Sequence, residues 1–157
     1  MTAQAPLTHR EVEQAVSVEQ KKVAVRRLFE EIFNDKKVEL IDELVAHDVV
    51  DHNKIIFAQP ERSGGVAEGI RMLLVAFPDL SVAVERLVGE EDYVAAQVSM
   101  VGTNTGPYPR VPKPTGRHTE WDSMVLFRIE DSKIVKLWGT SDRIGMLTQL
   151  GILPDIG

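Results

Sequence analysis

The sequence contains no cysteine, and this absence excludes several kinds of chemistry. Without thiols the chain can form no disulfide, no thiolate nucleophile and no cysteine-bound metal site. No apolar run approaches the roughly 20 residues that a membrane helix needs. The first residues also lack the apolar segment of a secretory signal. We therefore predict a cytoplasmic protein with no membrane partner.

Positive charge is also scarce, because 18 Lys and Arg residues stand against 24 Asp and Glu residues, for a net charge of −6. No basic cluster of the kind that binds a phosphate backbone is present, so we expect no nucleic-acid partner. The glycine-rich phosphate loops and the nucleophile elbow of hydrolases are missing as well. The four histidines show no metal-ligand spacing. We therefore predict no metal and no cofactor; the alternative is a site built from histidines and carboxylates that are dispersed along the sequence. Any chemistry must come from carboxylates, histidines and polar side chains in a pocket.

Helical patterns occupy the first half of the chain, whose 157 residues fit one domain. Apolar residues recur at three, four and seven from Val18 to Phe33, which predicts a helix that ends at Asn34. Residues 1–17 are predicted to be a flexible arm or the start of this helix. A short helix, an extended segment at 47–53, a loop at 58–65 and a helix stopped by Pro78 follow.

Strand patterns occupy the second half. Alternation predicts strands at 80–88, 93–103, 119–129 and 134–140, the first with Val82, Val84 and Val88 on one side. The loop at 106–117 contains four prolines and two glycines, and it is either a lid or a long surface hairpin. Helices followed by an antiparallel meander predict an α+β fold. A curved sheet around such helices encloses a core or a ligand pocket.

Asp142 is the candidate catalytic residue. It follows the last predicted strand, four residues after Trp138 and four before Met146, so it could lie in an apolar cavity. A carboxylate in such a place holds a proton more tightly and suits the removal of a proton flanked by carbonyls. The alternative is that Asp142, or Ser141, caps the final helix, which is the commoner role for this position.

Polar side chains near the predicted strands are candidates for ligand contact. His52 ends the extended segment, where alternation sends it and Asp51 to opposite faces, so that one of them faces inward. Gln97 shares a strand face with Ser99, and His118 flanks the return of the long loop. A hydrogen-bonded structural role remains the alternative for His52.

One face of the strand at 119–129 is more apolar than the other, and we expect it to meet the core. This face carries Trp121, Ser123, Val125, Phe127 and Ile129. Trp121 is predicted to be a core residue, and this position is compatible with a pocket wall. The opposite face carries Glu120, Asp122, Met124, Leu126 and Arg128.

Seven segments together resemble one known family: 25–34, 42–52, 76–80, 102–107, 114–117, 126–138 and 142–151. They include "AFPDL", "GTNTGP", "LFRIEDSKIVKLW" and "DRIGMLTQLG". Their order and spacing over residues 18–154 resemble the SnoaL-like polyketide cyclases, also called ester cyclases, of the nuclear-transport-factor-like superfamily. The resemblance implies one domain at 18–157, in which a cone-shaped, curved antiparallel sheet wraps around N-terminal helices.

The resemblance also implies a function. Cyclases of this family close a ring by intramolecular aldol condensation of a polyketide ester, without metal or cofactor, and one aspartate after the last strand is the general acid/base. Asp142 matches that position. The expected partners are a hydrophobic, polyketide-like small molecule and a second copy of the chain, in a homodimer or homotetramer formed through the sheet. The side chains expected to contact the substrate are Phe33, His52, Gln97, His118, Trp121, Val125, Trp138 and Met146.

Two positions depart from the family pattern. The cyclases have a histidine three residues before the arginine that is Arg128 here, and that position is Val125. A frequent family arginine is Gln97. Two alternatives therefore stay open: a non-catalytic module that binds small molecules, or an enzyme similar to limonene-epoxide hydrolases. The latter use an Arg-x-Asp pair, where Gln97 and Ser99 stand in this chain.

Overall fold

The computed structural model describes residues 3–54, 63–109, 111 and 113–157. Helices and one sheet pack around a common apolar core. The elements are α1 (His9–Arg27), a π-helix (Leu28–Asn34), a 3₁₀ turn (Val38–Leu40), α2 (Ile41–Leu44), β1 (Val45–Asp51), α3 (Gly65–Ala76), β2 (Ser81–Glu90), β3 (Tyr93–Thr103), β4 (His118–Glu130), β5 (Lys133–Ser141) and α4 (Arg143–Gln149). The predicted loop at 58–65 lies mostly outside the described residues.

Helix α1 begins earlier than its apolar pattern. The Thr8 hydroxyl accepts a hydrogen bond from the backbone N–H of Glu11, and the Glu11 carboxylate accepts one from the N–H of Thr8. This reciprocal capping box satisfies two N–H groups that would otherwise lack partners. Residues 9–17 are therefore helical, as one of the two alternatives for this segment predicted. The division into an arm and a domain stays a prediction.

A π-helix continues α1 without a break and ends at Asn34, where the sequence predicted the end of a helix. It buries Leu28, Phe29, Ile32 and Phe33. A π turn is wider than an α turn, because its backbone hydrogen bonds join residues five apart. Two apolar pairs, at 28–29 and 32–33, therefore face the core on consecutive turns. The Phe29 and Phe33 ring centroids lie 5.6 Å apart.

The end of the π-helix is tied to the edge of the sheet. The side-chain amide of Asn34 donates to the carbonyl of Val82 at 2.9 Å and accepts from the N–H of Val82 at 2.7 Å. The half-buried ammonium of Lys36 donates to the carbonyls of Phe33 and Leu80, and its burial lowers the pKa of Lys36. The two bonds to Val82 occupy backbone groups that the edge strand β2 would otherwise expose.

The sheet has five strands in the order β1-β5-β4-β3-β2. Strands β2 to β5 form the predicted antiparallel meander. The extended segment that was predicted at 47–53 forms most of β1, which adds to the sheet edge in parallel with β5. The predicted α+β class is confirmed. Among the described residues, no helix has both the length and the apolar character required to cross a membrane.

The side-chain directions on β4 agree with the prediction from alternation. The inward residues Trp121, Ser123, Val125, Phe127 and Ile129 are all buried. Strand β2 differs, because its register with β3 shifts between Val84 and Arg86. A bulge adds one residue and reverses the direction of every later side chain. Val82 is therefore buried while Val88 is 59% exposed, and the prediction that Val88 shares the inner side is wrong.

The base of the long loop after β3 is held by Asn104, which is fully buried. Its amide nitrogen donates to the carbonyls of Ala76 and Gly106. Its amide oxygen accepts from the N–H and the hydroxyl of Thr115. At Gly106 a Cβ atom would lie 1.8 Å from the carbonyl oxygen of Val75, so only glycine allows this close approach. The loop is thus fixed to the end of α3 at its first residues.

Candidate functional site

An interior cavity of about 80 Å³ lies between the helices and the inner face of the sheet. This is several times the roughly 10–15 Å³ that one water molecule needs. Its walls come from the π-helix, α3, the inner faces of β3, β4 and β5, the long loop and α4. The described lining residues are Leu28, Phe29, Phe33, Val66, Ile70, Leu73, Met100, Tyr108, Trp121, Ser123, Val125, Phe127, Leu137, Ser141, Arg143 and Met146.

Most of this wall is apolar, and aromatic contacts hold its shape. The Phe29 ring meets Phe127 edge-on, with centroids 6.1 Å apart. Phe77 packs behind the wall, 5.4 Å from Trp121 and 5.9 Å from Tyr108 between ring centroids. Tilted and edge-on ring pairs of this kind stabilise a fixed arrangement. The cavity is therefore a preformed apolar space that suits an apolar molecule.

Four polar side chains interrupt the apolar wall. The buried Ser123 hydroxyl donates to the Ser141 hydroxyl on the neighbouring strand at 2.9 Å. The half-buried Arg143 donates through Nη2 to the carbonyl of Lys54 at 2.7 Å. The Tyr108 side chain is 3% exposed. Burial raises the pKa of Tyr108, and the positive charge of Arg143 acts in the opposite direction.

Asp142 lies at the corner between β5 and α4, and its side chain is exposed. Its carboxylate accepts a hydrogen bond from the N–H of Gly145 at 2.9 Å, as the cap of α4. Its own N–H donates to the carbonyl of Asp122. The helix-cap prediction is therefore confirmed. Asp142 is not among the residues that line the cavity, although its neighbours Ser141 and Arg143 are.

Four of the predicted substrate-binding residues line the cavity: Phe33, Trp121, Val125 and Met146. They come from the π-helix, β4 and α4, which are distant in sequence. Val125 places an aliphatic side chain where the family resemblance leads one to expect a histidine. This part of the wall is therefore apolar.

The other four predicted binding residues lie outside the cavity. Gln97 and Trp138 belong to the outer face of the sheet, because they pair with the outward residues Met124 and Leu126. His52 follows β1, and its ring stacks on the indole of Trp138 with centroids 4.6 Å apart. His118 is exposed at the start of β4, with Nε2 3.8 Å from the Glu120 carboxylate. Their placement corrects the expectation that they surround one pocket with Asp142.

The polar residues of the cavity were not among the predicted binding residues. Ser123 could have been found, because it was the one polar residue on the predicted inner face of its strand. Ser141 was considered only as a helix cap. Tyr108 gives no periodic pattern, because it lies in an irregular loop, and an arginine after a strand is ordinarily a surface residue. Among the described residues, no three His, Asp or Glu side chains lie together as a metal would require.

Comparisons with known proteins agree with the fold. The cone-shaped fold of the nuclear-transport-factor-like superfamily, which the sequence predicted, is thereby confirmed. The family model described as SnoaL-like polyketide cyclase matches residues 22–150. The chain belongs to this family. A comparison with curated protein sequences gives no significant match.

Solved structures provide further relatives. IdmH from Streptomyces antibioticus, a proposed polyketide cyclase, is 31% identical with a TM-score of 0.70, over 84% of this chain and 99% of that one. AclR from Streptomyces galilaeus, a proposed hydroxylase, is 26% identical with a TM-score of 0.75, over 89% and 86%. TsrD from Streptomyces laurentii is 25% identical with a TM-score of 0.71, over 94% and 100%.

Proposed function

We propose that the protein encloses an apolar, carbonyl-rich small molecule in the interior cavity and closes a ring in it by cofactor-independent acid–base catalysis. The observation that carries this proposal is the position of the polar groups in an otherwise apolar cavity. They include Ser141 and Arg143, which directly flank Asp142. A ligand whose oxygens lie at this corner would have its reactive end near that carboxylate.

The reaction needs one proton carrier. The Asp142 carboxylate takes a proton from a carbon between two carbonyls, and the electron pair left on that carbon attacks a ketone carbon of the same molecule. The resulting alkoxide then takes the proton from Asp142, so no other reactant is consumed. The N–H of Gly145 donates to this carboxylate and holds it in place at the start of α4. Shape and orientation supply the rest, because both reacting carbons belong to one enclosed molecule.

A second candidate is a module that binds such a molecule without changing it. Two observations favour it: Asp142 is exposed and engaged as a helix cap, and Val125 makes the wall apolar at the position of the family's histidine. AclR is described as a proposed hydroxylase, so a third chemistry on this fold is a further outcome to test.

The test compares turnover by the wild type with that of Asp142→Asn. Asparagine is as good a helix cap as aspartate, so this change removes the proton carrier and keeps the α4 start. Asp122→Asn is the matched control, because Asp122 is an exposed carboxylate on the outer face of β4. Each protein is incubated with uncyclised aromatic polyketide methyl esters, and the products are separated by chromatography and identified by mass.

Cyclised product from the wild type and from Asp122→Asn, with at least a hundredfold less from Asp142→Asn, is the expected result. Equal turnover by all three proteins would exclude Asp142 as the proton carrier. Binding of these esters with no product from any protein would instead support the binding module.

A further inference from the structure

Two polar side chains of the cavity, Tyr108 and Arg143, have no role in the proposed proton transfer. We propose that they form an oxyanion-binding corner, which takes the carboxylate or enolate oxygen of an otherwise apolar ligand. This inference rests on the proposed use of the cavity by such a ligand, and it does not depend on catalysis by Asp142.

The charge of the cavity wall supports an anionic ligand group. Among the lining residues that the structure describes, Arg143 is the only one with a formal charge, and none is acidic. A guanidinium carries five N–H donors, so it can serve the carbonyl of Lys54 and a ligand oxygen together. Beside an apolar wall, a hydrogen bond between a cation and an anion is stronger than a neutral one.

The position of Tyr108 is fixed by its surroundings. The carbonyl of Tyr108 accepts from the N–H of Val111 at 3.0 Å, in a short bridge within the loop. Its ring meets Phe77 edge-on, at an angle of 77°. The side chain is almost completely buried, so the phenol remains on the cavity wall as long as the loop is folded.

The phenol of Tyr108 is suited to donate a hydrogen bond. Burial raises its pKa, so the group keeps its proton at neutral pH and above. Tyr108 and Arg143 both line the cavity, and the positive charge of Arg143 acts on the phenol. On the adjacent wall, the Ser123 and Ser141 hydroxyls form a polar surface for a second ligand oxygen. An anionic oxygen here would accept hydrogen bonds from both a neutral and a charged donor.

The test uses three probes of similar shape: 2-naphthoate, methyl 2-naphthyl ketone and 2-ethylnaphthalene. Their binding is measured by isothermal titration calorimetry at pH 7 with wild type, Tyr108→Phe and Tyr93→Phe. The sequence contains two tyrosines, and Tyr93 lies on the exposed outer face, so Tyr93→Phe is the matched control. Loss of the Tyr108 hydroxyl should weaken naphthoate binding about tenfold and leave ethylnaphthalene binding unchanged.

The wild type and Tyr93→Phe should bind naphthoate at least about tenfold more tightly than ethylnaphthalene. Arg143→Gln should remove this preference, and it decides the question if Tyr108→Phe does not fold. Equal affinity of the wild type for all three probes, no binding of any probe, or an unchanged preference in both variants would overturn the proposal. If the wild type prefers naphthoate but turns over no ester, the proposed cyclase activity is contradicted, and the oxyanion-binding corner is not.

Discussion

At the scale of single residues, Asn104 holds the long loop in place through the hydrogen bonds of its side chain. Its buried amide joins the end of α3, the start of the long loop and Thr115 near the loop's end. Tyr108, on the cavity wall, lies between these anchor points. Asn104 therefore contributes to the cavity without touching it, through the path of the loop that carries Tyr108.

We expect Asn104→Ala to lower the free energy of unfolding by about 2–4 kcal/mol, because the carbonyl of Gly106 and the N–H of Thr115 lose this partner and the buried amide leaves a cavity. Urea denaturation measures this change. Asn53→Ala is the control, because the exposed Asn53 accepts one bond from the N–H of Gly139 and its loss should cost about 1 kcal/mol or less. Equal destabilisation by the two changes would contradict the role of Asn104.

The candidate site could be predicted only in part from single residues. Trp121 and Val125 were predictable as inward residues, because β4 alternates without interruption. Gln97 and Trp138 follow the same alternation on β3 and β5, but the sequence alone did not decide which face of those strands was inner. Tyr108 could not be predicted, because its position depends on contacts with Phe77 and on the loop anchored by Asn104. Long-range packing decides such positions, and local periodicity does not report it.

At the scale of elements, regular alternation predicted β3 to the residue, at Tyr93–Thr103. The register shift in β2 and the π-helix after α1 were not predictable. The register shift is a one-residue insertion that leaves no mark in the sequence pattern. The apolar pairs at 28–29 and 32–33 have the spacing of an α-helix, so the pattern predicts an ordinary helix there. The parallel edge strand β1 was expected only as an extended segment, because parallel pairing joins residues far apart in sequence.

Helix α4 provides a test of the role of Asp142 in folding. We expect Asp142→Ala to lower the free energy of unfolding by about 1 kcal/mol, because the N–H of Gly145 loses its acceptor. Asp142→Asn should change the free energy of unfolding by only a few tenths of a kcal/mol, since asparagine caps a helix as well as aspartate does. Urea denaturation of the two variants and the wild type measures the difference. Indistinguishable stability of all three proteins would show that the cap contributes nothing.

At the scale of the whole molecule, the outer face of the sheet exposes several large apolar side chains. Met124 is 54% exposed and Leu126 38% exposed on β4. Trp138 lies beside them and stacks with His52. Protein interfaces are one of the common roles of an exposed apolar patch. Together with the family resemblance, it supports the proposal that two copies of the chain associate through their sheets.

We expect Leu126→Lys to raise the dissociation constant of this dimer at least about tenfold, because a lysine would be buried without a partner. Analytical ultracentrifugation over a concentration series measures the change. Val75→Lys is the control, since Val75 is 54% exposed on α3, away from the sheet's outer face. A wild type that stays monomeric at high concentration, or equal weakening by both changes, would exclude an interface at this face.

The two tryptophans of the sequence lie on opposite faces of the sheet, and this gives the protein two internal optical reporters. Trp121 is buried at the cavity wall, and Trp138 is half-buried on the outer face. Because indole fluorescence shifts to longer wavelength in polar surroundings, the two emissions differ in colour. A molecule that enters the interior would change the bluer component, and a subunit that covers the outer face would change the redder one. Trp138→Phe and Trp121→Phe would assign each component. Ligand binding in the cavity and association of two chains could then be followed separately in one spectrum.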